Sequence, residues 1–146
     1  MNLTGNEYLK CIIQLYRQNA VKAKETLERL STAFKLERSL NEYIANYSLG
    51  MKQKVYLIAA FLSGAGNLIL DEPFNGLDPE SVATLKKFLI EYRDAGNLVL
   101  FSAHNLDLVA NFCDYVVFID KQRKVFQFEN PRDFVQLEDA FFQTCV

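Results

Sequence analysis

Residues 68–78 read LILDEPFNGLD: an apolar run, two adjacent carboxylates, a proline, then a glycine turn closing on a third carboxylate. A short apolar strand that ends in an acid sets a carboxylate at its C-terminal edge, the edge at which α/β sheets bind ligands. There, Asp71 suits a Mg²⁺ ion held through water. Glu72, pointing elsewhere, suits the orientation and deprotonation of an attacking water. The stretch has the look of one wall of a nucleotide-phosphate site. Each part also has an ordinary structural reading. Asp-Glu ends a strand in a polar turn, Asn75-Gly76 is a common turn pair, and Asp78-Pro79 is an N-cap followed by proline at the first helical position.

Working outward, the 146 residues fit one domain, long enough to bury roughly two-thirds of the unfolded surface. Sixteen Lys and Arg against 18 Asp and Glu give a formal charge of −2. That leaves no electrostatic footprint for DNA or RNA, so no nucleic-acid partner is expected. Cys11, Cys113 and Cys145 are far apart, suit a reducing compartment and form no C-x-x-C metal spacing. There is no cationic leader and no apolar run of about 18 residues. A soluble, cytosolic chain is expected, with any membrane link made through a partner.

Thr4-Gly5-Asn6-Glu7 is a capping box opening a helix to about Arg17. A second helix is expected over about Val21–Phe34, and Ser39-Leu40-Asn41-Glu42 is a further cap pattern. The first 46 residues therefore read as all-helical. A third helix, apolar nearly all round and hence deeply buried, spans Gly50–Leu62. Short apolar runs at Asn67–Leu70, Asn97–Ser102 and Tyr115–Ile119 then alternate with helices at about Pro79–Arg93 and Asn105–Cys113. That alternation implies a mostly parallel sheet with helices on its faces. A turn at Asp120-Lys121-Gln122-Arg123 leads to a strand at Lys124–Phe128, and one or two short helices follow over Phe134–Phe142. The organisation is a helical subdomain (1–63), an α/β core (64–128) and a helical tail (129–146).

Two further stretches carry chemistry. Tyr47-Ser48-Leu49-Gly50-Met51-Lys52-Gln53-Lys54 opens the third helix. A serine hydroxyl, a glycine and the free N–H groups of a helix N-terminus together suit an anion, although Ser48 alone reads as an N-cap. His104, the single histidine, follows the apolar strand ending at Ser102. It suits either a phosphate sensor beside the acid-bearing strand or an ordinary polar surface.

In order and spacing these stretches resemble the ATP-binding cassette (ABC) transporter ATPases, essentially from end to end. Tyr47–Lys54 resembles the signature motif, with Ser48 and Gly50 kept, Leu49 in place of a glycine and Met51 in place of the glutamine. Leu68–Glu72 resembles Walker B, Asn75–Asp78 the D-loop, and His104 the switch histidine. The resemblance implies an α/β, partial P-loop NTPase fold of the ABC type. In it a helical subdomain precedes a mostly parallel sheet with flanking helices. It implies ATP and Mg²⁺ as cofactors, with Asp71 holding the metal through water, Glu72 as catalytic base and His104 contacting the γ-phosphate. Ser48, Gly50, Met51 and Asp78 would act in trans, on the phosphates and across a head-to-tail dimer with a second cassette. Transmembrane transporter subunits would dock near residues 1–46, with Tyr8, Leu9 and Ile12 as candidates for that contact or for the core. The protein would then lie on the inner face of the plasma membrane, through its partners.

One family motif is missing. None of the six glycines, at 5, 50, 64, 66, 76 and 96, is followed by lysine, so there is no Walker A sequence G-x-x-x-x-G-K-[ST]. Leu3–Glu7 resembles the family stretch just downstream of the glutamine loop, which marks the chain as the C-terminal portion of a cassette. Two functions follow as expectations. One is a fragment of an ATP-hydrolysing transporter subunit; the other is a non-catalytic module that lends its signature face to a partner or regulates a transporter. By the resemblance, the Walker A strand would lie inside the sheet, so without it the strands at Leu98–Phe101 and Val116–Ile119 would lose a central neighbour and leave apolar edges exposed. Marginal stability or self-association is expected, and a sharp, reversible, concentration-independent unfolding transition well above 50 °C would contradict it.

Overall fold

Thr4 starts the first helix by closing the expected capping box: its hydroxyl accepts from the Glu7 N–H at 3.2 Å, and the Glu7 carboxylate accepts from the Thr4 N–H at 2.8 Å. In this computed structural model, which describes residues 2–120 and 122–145, helix α1 runs Gly5–Leu15. The side chains of Thr144 and Cys145 also lie outside the described residues. Helix α2 (Ala20–Ala33) is capped by Asn19, whose side chain accepts from the N–H groups of Val21 and Lys22. Helix α3 (Leu49–Leu62) is capped by Ser48.

The cap pattern at Ser39–Glu42 does not start a helix. The chain turns there, and only a single 3-10 turn forms, at Ile44–Asn46. The Ile44 N–H donates to the Leu3 carbonyl at 2.9 Å, and Thr4 bridges Tyr43 antiparallel. Those long-range bonds take the backbone groups that a helix would need.

Strand β1 (Asn67–Leu70) pairs in parallel with β2 (Leu98–Phe101), and helix α4 (Pro79–Asp94) connects them. Helix α5 (Leu106–Phe112), strand β3 (Tyr115–Ile119), strand β4 (Val125–Glu129) and helix α6 (Phe134–Cys145) complete the chain. β3 and β4 form a separate antiparallel pair. At the turn between them the Lys124 N–H donates to the Asp120 carboxylate at 2.8 Å; Lys121 of the expected turn lies outside the described residues.

Two compact units result, Met1–Phe101 and Ser102–Val146. The segment boundaries read from the sequence, at 63 and 128, fall inside these units. In the first unit, α4 buries Ser81, Leu85, Phe88 and Leu89, a stripe at helical spacing. The Phe88 ring lies 6.0 Å from both Phe34 and Phe61, so one aromatic side chain ties α4 to the end of α2 and to α3. Arg29 covers the same ring at 4.8 Å while pairing with Glu91 at 3.1 Å. Leu9 is fully buried, which makes it core rather than docking surface. Helix α3 is less enclosed than its composition implies, since Tyr56 is 47% exposed.

The second unit packs α5 and α6 on one face of the hairpin, around Val109, Ala110, Val116, Phe118 and Leu137. Buried Asn130 joins its parts: its side-chain N–H groups donate to the carbonyls of Val109, Ala110 and Cys113 at the end of α5. They lie at the C-terminal end of α5, where carbonyls run out of intrahelical donors; that of Val109 also accepts the Cys113 N–H at 3.1 Å.

Each sheet keeps one apolar face toward solvent. On the parallel pair it is Ile69 (78% exposed), Leu98 and Leu100; on the hairpin it is Tyr115, Val117, Ile119 and Val125. Among the described residues no helix is long and apolar enough to cross a membrane.

Because Phe88 joins three helices, Phe88→Ala is expected to destabilise the first unit by about 3–5 kcal/mol. Urea unfolding followed by circular dichroism measures it. A cost near that of an exposed residue would contradict the central place given to this ring.

Candidate functional site

β1 delivers Asp71 and Glu72 to its C-terminal end, Asp71 exposed and Glu72 half-buried. The backbone of Glu72 is left-handed, with φ +44°. For a non-glycine residue this costs about 1–3 kcal/mol. The residue before a proline is moreover pushed toward extended geometry, and Pro73 follows. The loop is held in this shape from several sides. Pro73 is fully buried, the Phe74 ring packs edge-on to Phe101 at 5.5 Å, and the Asn75 N–H donates to the Glu72 carbonyl at 3.1 Å. Gly76 takes φ +74°, a turn conformation that glycine adopts without strain.

The loop rests against the first turns of α3. A β-carbon on Gly50 would come 2.7 Å from the Gly76 carbonyl oxygen, so glycine is needed for this approach. One turn on, the Gln53 side-chain amide donates to the Pro73 carbonyl at 3.1 Å. Lys54 then reaches the Asp78 carboxylate at 2.9 Å. Asp78 also caps α4, accepting from the Ser81 N–H at 2.9 Å and from its hydroxyl at 2.7 Å. The Lys54 ammonium, followed by the two Ser81 donors, holds the Asp78 carboxyl well below its ordinary range.

The fold thus brings Ser48, Gly50 and Met51 beside the loop that carries Asp71, Glu72 and Asp78. Ser48 is exposed at the start of α3, where its hydroxyl accepts from the Met51 N–H at 3.2 Å. Exposed N-terminal N–H groups, a serine hydroxyl and a side-chain-free Gly50 fit an anionic phosphate. The exposed Asp71 fits a Mg²⁺ that keeps its waters. Among the described residues no three His, Cys, Asp or Glu side chains gather for a metal. His104 belongs to the second unit, exposed just before Asn105, the N-cap of α5.

Sequence reasoning missed Gln53 and Lys54 as partners of the loop. Asp78-x-x-Ser81 is a local capping signal, whereas Lys54 and Asp78 stand 24 residues apart and meet only in the fold.

The family model described as "AAA domain, putative AbiEii toxin, Type IV TA system" matches residues 4–110. The putative ABC transporter ATP-binding protein AlbC of Bacillus subtilis (strain 168) is 36% identical over 121 residues, covering 83% of this chain and 50% of AlbC. EcsA, an ABC-type transporter ATP-binding protein of the same organism, is 34% identical, over 80% of this chain and 47% of its own length. The chain therefore spans about half the length of these curated relatives. A solved ATP-binding subunit of an ABC transporter superposes with a TM-score of 0.86 at 29% identity, over 96% of this chain and 62% of that one.

Since the Asp78 pKa is depressed in the folded state, the stability its ion pair and cap contribute is fully present above the ordinary carboxylate pKa of about 3.8 and is lost as pH falls from there through the lowered folded value. Asp78→Ala should cost about 0.5–2 kcal/mol at pH 7. The gap from the wild type should narrow on acidification through that range. Urea titrations at pH 7 and at about pH 3 test this, and a gap independent of pH would refute it. By its family match and its relatives, the chain belongs to the AAA-domain P-loop NTPases and, among them, to the ATP-binding cassette ATPases.

Proposed function

We propose that this chain is the signature- and carboxylate-bearing portion of the ATP-hydrolysing subunit of an ABC transporter. The observation that carries the reading is the packing of the α3 N-terminus, with Ser48 and Gly50, against the loop that holds Asp71, Glu72 and Asp78. AlbC and EcsA are named as transporter ATP-binding proteins, which supports the same reading.

Bound Mg-ATP supplies the phosphoanhydride to be cleaved and most of the charge neutralisation. The chain's own groups do the rest. Glu72 would orient a water and take its proton at a carboxylate oxygen, and Asp71 would hold Mg²⁺ through water. By the family resemblance, His104 would be the residue that donates a hydrogen bond to a terminal phosphate. Ser48, Gly50 and Met51 present the positive end of α3 to nucleotide held by a second cassette, with Asp78 at that contact. Transmembrane subunits convert closure and reopening of the pair into transport, so the protein works at the inner face of the plasma membrane. The segments 1–63, 64–128 and 129–146 then serve as docking subdomain, catalytic core and tail.

A second reading is supported by one observation: the 146 residues contain no G-x-x-x-x-G-K-[ST] sequence. As a non-catalytic module, the chain would lend its signature face to a partner or regulate a transporter.

Fluorescent-nucleotide titration of the chain alone is expected to detect no ATP binding below millimolar, and tight binding would overturn both readings. A chimera carrying the first half of AlbC ahead of this chain separates them. On the enzymatic reading it hydrolyses ATP, and Glu72→Gln lowers kcat by about 10²–10⁴-fold. An inert chimera, with the fold intact by circular dichroism, favours the non-catalytic module.

A further inference from the structure

The helix that opens at Ser48 does more than present its N-terminus. Gln53 lies on its second turn, half-buried, and its side-chain amide donates to the carbonyl of Pro73 at 3.1 Å. That carbonyl belongs to the residue immediately after Glu72, whose backbone is left-handed at φ +44°. A left-handed glutamate ahead of a proline opposes two backbone preferences at once, so the surroundings must hold it. Pro73 is fully buried, and its carbonyl accepts the Gln53 amide. The next side chain on α3, Lys54, is mostly buried and pins the far end of the same loop through Asp78 at 2.9 Å.

We propose that Gln53 is a positioning residue: by binding the Pro73 carbonyl it holds Glu72 in its left-handed backbone conformation and so fixes where its carboxylate points. Lys54 at Asp78 forms the second point of the same clamp. The clamp makes α3 and the carboxylate loop one mechanical piece, so that a displacement of the α3 N-terminus by a bound anion moves Glu72 with it. This rests on the reading of Glu72 as the group that activates water.

The test uses the whole chain, isotopically labelled for NMR. In the wild type, Glu72 should show the strong intraresidue amide-to-α-proton cross-relaxation of a left-handed residue. The Gln53 side-chain amide protons should exchange more slowly than those of exposed Asn41. Gln53→Met keeps the size and removes the donor. It should abolish the left-handed signature and raise exchange of the Asn75 amide about tenfold, the scale of one lost hydrogen bond. The interior amides of α3 and α4 should be unaffected. An unchanged Glu72 signature in Gln53→Met, or exchange rising equally throughout the first unit, would reduce Gln53 to a packing contact. Should Gln53→Met not fold, the wild-type measurement decides alone: side-chain amide protons exchanging as fast as those of Asn41 overturn the clamp. The readout is the Glu72 backbone rather than turnover, so its failure is distinct from failure of the ATPase reading, which Glu72→Gln tests.

Discussion

The loop from Asp71 to Asp78 is held by the first turns of α3, and the arrangement of the site depends on that grip. Gly50 lets the two backbones touch, Gln53 takes the Pro73 carbonyl, and Lys54 neutralises Asp78 at the start of α4. The three contacts are of different kinds: a steric vacancy, a neutral hydrogen bond and an ion pair. The ion pair is only partly shielded, since Lys54 is 15% and Asp78 52% exposed, so solvent screening limits its strength. Its value is geometric. It fixes the N-terminus of α4 relative to α3 while the strained Glu72 sits between the two anchored ends.

The aromatic cluster makes that grip possible. Phe88 meets Phe34 and Phe61 at 6.0 Å, so the two long helices that flank the loop cannot slide independently. Apolar burial provides the free energy, and the polar contacts choose the register. The sheets are less complete. Ile69, Leu98 and Leu100 form a bare apolar face on the parallel pair, and Tyr115, Val117, Ile119 and Val125 do so on the hairpin. Alternation of burial along β3 is sharp, Val116 and Phe118 in and their neighbours out, because helices cover one face only.

Much of this was legible from short-range pattern. The capping box at Thr4–Glu7, the caps at Ser48 and Asp78 and the strand at Tyr115–Ile119 appear where the sequence puts them. The cap pattern at Ser39–Glu42 misled for a specific reason: Ile44 gives its N–H to Leu3, some forty residues earlier in the chain. Asn130 lies just past the end of β4. Its larger task, closing the end of α5 through three carbonyls, spans 17 to 21 residues and left no local trace.

The set of elements and the chemistry at their ends are therefore written along the chain. Each of those features is satisfied within about one turn of helix or along one strand, by residues a few positions apart. The order Ser48, Asp71, Glu72, Asp78, His104 also belongs to the sequence, and with it the family. The tertiary structure alone decided that Gln53 and Lys54 grip the carboxylate loop and that Glu72 is held left-handed. The partners stand 20 and 24 residues apart, and a hydrogen bond or ion pair at that separation forms only once the core has brought the helices together.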